Sequence, residues 1–482
     1  MENTEIKYEH QKKVHWSLVS VKSFFDERIY KVSLPGFPLD KCIAVSKLNE
    51  DKDIEIKFFL EEIYGQEYLE DFGRFGINEK IVLTNSGRNY IINEKSAKGI
   101  SVSISKPQVI TLTVKNLQTN IDESFDNKIL RLILETEEEQ TLEIFQTKSV
   151  CISGSTTFAG LLEIKINGID YHLFSHKNDD LKKSYLIIES LNELKFDLFE
   201  KDCSTILLAI GFITGNYHQN KHFYQVIRED NVILADETKY VLKKDSIISN
   251  TPLLNPHKWW QYLDLKKRKD LLDKIPANFQ MIYFNLLCEK ISGNKTLERT
   301  IKLILQGNQT KETLLRAGIY SIALETLTNV IYEENTKRIN PIKEKKLSAL
   351  IQGKFKEIIK EYESFIDDYG HQIIEAKINS LNQPTNSKKL QKPFELYGIK
   401  LTKEHKEILA HRNKFLHGKS PFKESELPLK EFEIANISFK LLYLICCLIL
   451  KYSGYKGYVL NLGDWHNYSH GRKIESHFFK HI

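Results

Sequence analysis

A short stretch near the C-terminus, residues 411–418, reads His-Arg-Asn-Lys-Phe-Leu-His-Gly. Arg412 supplies a permanent cation with a forked set of donors suited to phosphate. His417, five positions further on, has an unperturbed pKa of about 6.5 and can exchange a proton near neutrality. Metal-free RNA cleavage needs both properties, because the 2′-hydroxyl must be activated and the phosphate held as charge builds. The pair therefore indicates that chemistry.

The same Arg-x4-His spacing occurs a second time, at Arg472 and His477. In the first copy Asn413 follows the arginine, and an amphipathic helical pattern precedes it. The second copy lies in a tail that is rich in histidine and aromatic residues and has little periodicity. We therefore expect the first copy, Arg412 and His417, to be the functional one.

The element that positions the pair is a helix predicted over 402–417, with Thr402 as its N-cap and Gly418 just beyond its end. Five residues of an ideal helix turn through about 500°, so Arg412 and His417 would point about 140° apart. Two arrangements remain open: the helix ends between the two residues, or the Arg and His of two subunits meet across a dimer axis. Charged groups at a helix end are expected to be solvated.

The charge of the chain is unevenly distributed. Residues 1–255 carry 31 Lys and Arg against 39 Asp and Glu, a net charge of −8, whereas residues 256–482 carry 38 against 25, a net charge of +13. A basic half that contains an Arg/His site favours a polyanionic substrate. Lys-rich helices that merely solvate a surface would produce the same imbalance.

The chain is long enough for two or three domains, and its pattern predicts an α+β multidomain protein. Residues 1–255 predict an antiparallel β-rich domain with a helical segment at about 193–214. Ile100–Ile104 alternates as a half-buried strand, and residues 162–171 form a hairpin around Asn167-Gly168. This half is acidic and shows no cluster of catalytic residue types, so we expect it to be a sensor or regulatory domain.

Residues 256–482 predict an all-α domain, with a polar loop at 382–389. The predicted helices cover about 258–274, 277–292, 296–306, 311–336, 341–366, 368–381, 402–417 and 428–452. The longest apolar run, Leu441–Leu450, is about half the length of a bilayer span of about 20 residues. It is therefore predicted to be a buried core helix, and no membrane association is expected.

Several other classes of site find little support. The six cysteines are scattered without a C-x-x-C pair, and the N-terminus shows no secretory signal, so a reducing, cytoplasmic setting is expected. No phosphate-loop, dinucleotide-binding, His-Glu-x-x-His or nucleophile-elbow motif occurs. We expect no cofactor and no metal.

Two pairs of histidines near the C-terminus have the spacing of metal ligands. His466 and His470 stand four positions apart, as do His477 and His481, and that spacing can hold zinc on a helix. Packing of an aromatic tail on the helices is the favoured interpretation. His405 and His411 are expected to be surface residues.

The residues of the first motif resemble the HEPN domain, in which Arg-x4-His with Asn after the Arg lies at a helix end in a helical bundle. The segment Leu315–Glu325, reading LRAGIYSIALE, looks like the first long helix of Apea-like HEPN proteins. A β-rich N-terminal domain followed by a C-terminal HEPN domain is also their layout. The resemblance to the catalytic domain covers about residues 296–458, with an aromatic and His-rich tail after it.

The resemblance implies a helical homodimer whose two motifs line a shared cleft and cut RNA without metal. Apea-like members are associated with bacterial anti-phage defence by abortive infection, in which RNA cleavage arrests the infected cell. The RNA, with tRNA as one candidate, is then the partner of the helical domain, and a phage-derived trigger would act at the N-terminal domain. A non-catalytic HEPN module that binds RNA or a partner protein is the alternative.

Individual roles follow from the same resemblance. Arg412 would bind the scissile phosphate, His417 would act as general base or acid, and Asn413 would orient them. Lys414 is a candidate supporting cation. Glu325 on the long helix is a candidate for positioning the arginine, and a solvated or N-cap-type structural role is the favoured interpretation of it.

One departure from some toxin-type members concerns regulation. Those proteins carry a tyrosine two places after the motif histidine, and here that position is Lys419. Silencing by modification of such a tyrosine is therefore not expected.

Overall fold

The computed structural model divides the chain into two compact units, one of residues 1–207, 218–244 and 278–285 and one of residues 208–217, 245–277 and 286–482. The first is β-rich and the second is helical. The structure describes residues 28–33, 42–48, 54–60, 81–85, 88–92, 97–103, 108–114, 118–119, 126–136, 142, 144–152, 156–178, 183–215, 222–227, 232–235, 269, 278–472, 474 and 479–482. The domain boundary predicted at 255/256 lies outside these residues.

The β-rich unit contains two sheets whose described strand pairs are all antiparallel, as predicted. The eight-stranded sheet has the order β6-β7-β3-β2-β1-β4-β5-β8. Its strands are β1 (Arg28–Ser33), β2 (Ile43–Leu48), β3 (Ile54–Leu60), β4 (Ile81–Asn85), β5 (Arg88–Ile92), β6 (Ala97–Ser103), β7 (Gln108–Val114) and β8 (Gln118–Thr119).

The seven-stranded sheet has the order β10-β11-β12-β13-β9-β14-β15. Its strands are β9 (Ile129–Thr136), β10 (Lys148–Ile152), β11 (Thr156–Ile166), β12 (Ile169–Asn178), β13 (Lys183–Ser190), β14 (His222–Ile227) and β15 (Val232–Ala235).

Local sequence signals account for much of this unit. Strand β7 alternates buried and partly buried residues along its whole length, which is the period of a strand with one face in the core. The predicted hairpin joins β11 to β12, and Asn167 and Gly168 both have positive φ, 50° and 86°, as its turn type requires. Helix α1 (Phe196–Thr214) confirms the predicted helical segment. The Tyr171 hydroxyl donates to Asp202 of α1 over 2.5 Å.

A buried polar row crosses the seven-stranded sheet, and the sequence pattern did not indicate it. Arg131 of β9 and Glu189 of β13 are register partners, with 2.5 Å between Nη2 and Oε1 and side chains 0% and 2% exposed. Gln225 of β14 lies opposite Arg131, and His172 of β12 lies opposite Glu189. A buried pair of this kind is weak evidence for net stability, because the cost of desolvating two charges offsets their attraction.

The helical unit confirms the predicted helical character and most of the predicted helices. Its helices are α2 (Met281–Gly293), α3 (Lys295–Asn308), α4 (Thr313–Glu334), α5 (Thr336–Ile339), α6 (Lys345–Glu361), α7 (Asp368–Asn379), α8 (Asn386–Leu396), α9 (Lys403–Leu416), α10 (Glu431–Tyr452) and α11 (Leu462–Ser469), with 3₁₀ turns at Glu363–Phe365 and Glu424–Leu429. Helix α2 begins within residues 278–285, which belong to the β-rich unit. The predicted helix at 258–274 lies outside the described residues, apart from Lys269.

Two expectations for this unit were wrong in part. The polar loop predicted at 382–389 ends at Thr385, the N-cap of α8, whose hydroxyl accepts a hydrogen bond from the Lys388 backbone N–H. The unit is also not wholly helical, because β16 (Tyr458–Leu460) and β17 (Phe479–His481) pair as a two-stranded antiparallel sheet. Short strands separated by a helix leave little local pattern to recognise.

The centre of the unit is formed by α4 and α10, which pack on each other and on their neighbours. Gly307 of α3 lies so close to Tyr320 of α4 that an added Cβ would stand 2.4 Å from the tyrosine ring, so that position requires glycine. Among the described residues α10 is the one helix long and apolar enough to cross a membrane, and 83% of its apolar window is buried inside the protein. That burial confirms the predicted core helix.

Candidate functional site

Helix α9 carries the motif, and its ends follow from local capping. Thr402 is the N-cap, with its hydroxyl accepting from the His405 backbone N–H over 3.1 Å. At the other end the Gly418 N–H donates to the Phe415 carbonyl over 3.0 Å, and the Lys419 N–H donates to the Lys414 carbonyl over 2.8 Å. These two bonds form a Schellman motif, which the positive φ of Gly418, 65°, makes possible.

Arg412 lies inside the protein rather than in solvent. Its residue is 7% exposed, so the expectation of a solvated charge at the helix end was wrong for this side chain. Nη2 donates to Oδ1 of Asn413 over 2.6 Å, and Nη1 lies 3.5 Å from Oε1 of Glu325 on α4. The physical reason is that α9 packs on α4, and the two acceptors compensate the buried guanidinium.

One donor of the same guanidinium has no acceptor. The Nε atom of Arg412 is buried and makes no hydrogen bond in the part of the chain that the structure describes. A buried donor without a partner costs about 1–3 kcal/mol. Glu325 and Asn413 therefore hold the arginine in its orientation at an energetic cost.

His417 has the opposite environment. It is the C-cap residue of α9, with φ −98° and ψ 17°, and it is exposed, as predicted for a charged group at a helix end. Lys414 and Lys419 on either side are also exposed. No hydrogen bond or ion pair described in the structure joins His417 to Arg412. A single chain thus brings together Arg412, Asn413 and Glu325 but leaves the histidine apart.

The other two histidines of α9, His405 and His411, were expected at the surface and are partly exposed there. The Nδ1 atom of His405 accepts from the Thr402 backbone N–H over 3.4 Å, completing a capping box. Burial lowers the pKa of His405. Burial, followed by the nearby Lys414, lowers the pKa of His411. Both effects favour neutral imidazoles at pH 7.

An exposed apolar stripe lies beside the motif on α4. Leu315 is 57% exposed and Ile322 is 40% exposed, and they stand seven residues apart on one face of the helix. Glu325 follows Ile322 by three positions and continues the same face. We call Leu315 and Ile322 the α4 stripe. It borders the pair formed by Glu325 and Arg412.

The second motif copy has different surroundings. The Arg472 guanidinium lies 3.7 Å above the Phe432 ring, and its Nη2 is 3.7 Å from Oε1 of Glu433, while His477 lies outside the described residues. His466 stacks on Phe432 with ring centroids 4.4 Å apart. Within the described ranges no group of three His, Cys, Asp or Glu residues could hold a metal ion.

Cys446 and Cys447 are buried and pack inside α10. Burial raises the pKa of Cys447 to about 12, and that of Cys446 is raised as well. Neither thiol is a candidate nucleophile, because a reactive cysteine needs a stabilised thiolate.

Comparison of the chain with protein-family models, with curated proteins and with solved structures finds no match.

Proposed function

We propose that the protein is a metal-independent endoribonuclease of the HEPN type that acts on RNA through Arg412 and His417. The observation that carries the proposal is the packing of α9 on α4, which holds the Arg412 guanidinium between Asn413 and Glu325. An arginine fixed in this way is pre-organised to stabilise a phosphate as charge develops on it. Cellular RNA in the cytoplasm, with tRNA as one candidate, is the substrate class.

The reaction needs only the RNA and two side chains. His417 takes the proton of a 2′-hydroxyl, and the oxygen so formed attacks the adjacent phosphorus. The bond from phosphorus to the 5′-oxygen breaks, and that oxygen receives a proton from an imidazolium. Arg412 neutralises the charge on the phosphoryl oxygens in the transition state. The products are a 2′,3′-cyclic phosphate and a 5′-hydroxyl end.

The site is proposed to be completed by a second copy of the chain. Within one chain no described contact joins Arg412 to His417, and the helix remains regular as far as Leu416. The α4 stripe offers an exposed apolar surface next to the Glu325–Arg412 pair, where a second copy could pack about a two-fold axis. Such a dimer would set the arginine of one subunit near the histidine of the other.

Subunit mixing tests this arrangement. Arg412→Ala and His417→Ala proteins should each be nearly inactive alone, but their heterodimer would contain one site with both residues intact. Random exchange then restores about a quarter of wild-type activity, because half of the dimers are mixed and each has one working site of two. If each site belongs to a single chain, mixing restores nothing.

Cleavage of total RNA in EDTA tests the activity itself. Wild-type protein should degrade RNA in the chelator, whereas Arg412→Ala and His417→Ala should each cleave on the order of 100-fold more slowly. Arg299→Ala, which removes an exposed arginine from α3 in the same unit, is the matched control and should cleave normally. Normal cleavage by both motif variants would refute the proposal.

A non-catalytic module that binds RNA or a partner protein is the second candidate function. It is favoured by one observation: two guanidinium nitrogens of Arg412 already have internal partners, and His417 lies apart from them. This alternative predicts RNA binding that survives His417→Ala and no cleavage by the wild type.

The proposed biological setting is anti-phage defence by abortive infection, in which a phage-derived trigger acts at the β-rich unit. Its support is the layout of a β-rich unit ahead of a helical one. Expression of the full chain in bacteria challenged with phage tests the setting. Infected cells should stop growing with wild type but not with Arg412→Ala, and equal phage yields from both would contradict it.

A further inference from the structure

The outer face of α9 carries a straight row of cations. An α-helix turns through about 100° per residue, so positions 403, 406, 414 and 417 fall within about 80° of one another around it. These positions are held by exposed residues, namely Lys403, Lys406, Lys414 and His417. The buried residues of α9 lie on the opposite side, namely Ile408, Leu409, Arg412 and Phe415. We call Lys403, Lys406 and Lys414 the α9 row, and His417 ends the same face.

The ammonium groups of the α9 row have no counterion in the part of the chain that the structure describes. Other lysines of the helical unit have one: Lys302 pairs with Glu298, Lys356 with Glu375 and Lys392 with Glu395. Helix α9 has two acids of its own. Glu404 is bonded to Lys440 of α10, so Glu407 alone remains on this helix to offset the row. The outer face of α9 therefore has a net positive charge that is available to an anion.

The dimensions of this face suit a nucleic-acid backbone. From Lys403 to His417 the face is about 21 Å long, since each helical residue rises about 1.5 Å. A stacked strand advances about 3.4 Å per nucleotide, so about six nucleotides span that length. Ala410, also exposed, lies between Lys406 and Lys414. Its small side chain allows a strand to lie close to the helix between the two lysines.

We propose that the α9 row binds the phosphates of an unpaired RNA strand and directs that strand to His417, an inference that rests on the proposed ribonuclease function. The row is straight and follows one helix, so it can contact successive phosphates of one flexible strand. The backbone of an A-form duplex winds away from a straight row after a few phosphates. Duplex RNA is instead recognised across its wide minor groove.

The cleavage chemistry also favours an unpaired strand. Attack by a 2′-hydroxyl needs the departing 5′-oxygen in line with it across the phosphorus. Stacking in a duplex holds these atoms out of line, whereas an unpaired nucleotide can turn into position. Contacts to phosphates carry no sequence information. The substrate class is therefore single strands and loops of RNA, with little preference for sequence along the row.

Binding of an RNA that cannot be cut tests the α9 row. A labelled 2′-O-methyl RNA of twelve nucleotides has no free 2′-hydroxyl to attack its phosphates, so fluorescence anisotropy reports affinity for the full wild-type chain. Each phosphate contact to a single strand contributes about 0.7 to the slope of log affinity against log salt. The combined variant Lys403→Gln, Lys406→Gln, Lys414→Gln should lower that slope by about 2. At about 0.1 M salt it should bind about tenfold more weakly or worse.

A matched control separates the α9 row from the charge of the whole chain. The combined variant Lys346→Gln, Lys354→Gln, Lys360→Gln removes three exposed lysines from α6 and changes the net charge equally. It should bind the same RNA within about twofold of wild type and keep the salt slope. Equal losses in the two combined variants would overturn the α9 row as the binding surface.

A single substitution tests the middle of the row. Ala410→Glu places a negative charge between Lys406 and Lys414 and should weaken RNA binding about tenfold. Ala376→Glu, at an exposed alanine within α7, is the same change on another helix and should bind like wild type. Both alanines are exposed, so the melting temperatures should stay close to that of wild type. Wild-type affinity in Ala410→Glu would refute the proposed path of the strand.

A duplex of the same 2′-O-methyl RNA tests the preference for unpaired strands. It should bind wild type about tenfold more weakly than the single strand, because fewer of its phosphates meet the row. Equal or tighter binding of the duplex would overturn the assignment to unpaired RNA, and no binding of the single strand would overturn the row itself. None of these measurements depends on cleavage, so failure here is distinguishable from failure of the proposed function, which is measured by cleavage in EDTA.

Discussion

Neutralising Glu325 should separate RNA binding from RNA cleavage. The carboxylate of Glu325 is the one acidic partner of Arg412 among the described residues, at 3.5 Å, and its side chain is 42% exposed. In Glu325→Gln the arginine keeps a neutral hydrogen-bond acceptor but loses its internal counterion. The guanidinium should then attract the RNA phosphate more strongly while being aligned less firmly for the reaction.

The size of the effect follows from the geometry. Two unit charges 3.5 Å apart attract by about 5 kcal/mol at an effective dielectric of about 20 and by about 1 kcal/mol in bulk water. Because the carboxylate is 42% exposed, solvent screening reduces the pair to about 1 kcal/mol at most. Removing this competition should tighten RNA binding by up to about fivefold. The cleavage rate of bound RNA should fall up to about tenfold, since the arginine is less well positioned.

Fluorescence anisotropy of a labelled RNA oligonucleotide measures the affinity, at about 0.1 M salt. The measurement is made in a His417→Ala background so that the RNA stays intact. Single-turnover cleavage with the histidine restored measures the rate. Glu357→Gln on α6 is the matched control, because it removes an exposed carboxylate and changes the net charge equally. Weaker RNA binding by Glu325→Gln than by Glu357→Gln would refute this account of the pair.

Four further outcomes are expected. Arg412→Ala should change the free energy of unfolding by about 1 kcal/mol or less in urea titrations. The loss of buried methylene groups, about 0.8 kcal/mol each, is offset by the removal of an unpartnered donor that costs about 1–3 kcal/mol. A loss of stability above about 3 kcal/mol would contradict this balance. Gly418→Ala should cost about 1 kcal/mol and lower the melting temperature, because φ at this position is 65°; unchanged melting would show that the helix end can rearrange. Leu315→Glu should be a monomer in light scattering and should lose cleavage. Leu350→Glu, at a residue 58% exposed on α6, should remain a dimer and cleave normally. A dimer that survives Leu315→Glu would place the interface elsewhere. Acidification from pH 6.5 towards 4 should lower the free energy of unfolding. The pKa of His466 is about 4 in the folded protein and about 6.5 in the unfolded chain, so the unfolded chain binds the proton first. In urea titrations His466→Gln should show a shallower dependence of stability on pH than wild type, and an equal slope would contradict this.

The motif helix could be predicted from the sequence because its signals are local. Thr402 at the start and Gly418 after the end are capping residues whose effect depends on a few neighbours. The hairpin at Asn167-Gly168 was predictable for the same reason. The exposure of His417 also follows from its place at the cap.

The burial of Arg412 could not be predicted in this way. Its environment depends on which face of α9 meets α4, and that is decided by the tertiary packing of two helices about 90 residues apart in sequence. Its place on the long helix made Glu325 a candidate partner, but only the structure shows the 3.5 Å between the two side chains.

The burial of Arg316 on α4 was missed for a related reason. It lies in the segment that carries the HEPN resemblance, yet nothing in its sequence neighbourhood distinguishes a buried arginine from a surface one. The Phe439 ring that its guanidinium faces, at 5.1 Å, lies more than 100 residues further along the chain. A long-range contact of this kind becomes visible only when the helices are assembled.

The most direct test of the proposed ribonuclease is the chemistry of its product ends. An RNA oligonucleotide is incubated with wild-type protein in EDTA, and the fragments are analysed by mass spectrometry. Attack by the RNA's own hydroxyl predicts 2′,3′-cyclic phosphate and 5′-hydroxyl ends, and no cleavage of the same oligonucleotide once the nucleotide before the cut is 2′-deoxy. Fragments with 5′-phosphate ends, or cutting of the 2′-deoxy substrate, would contradict attack by the RNA's own hydroxyl and the roles assigned to Arg412 and His417.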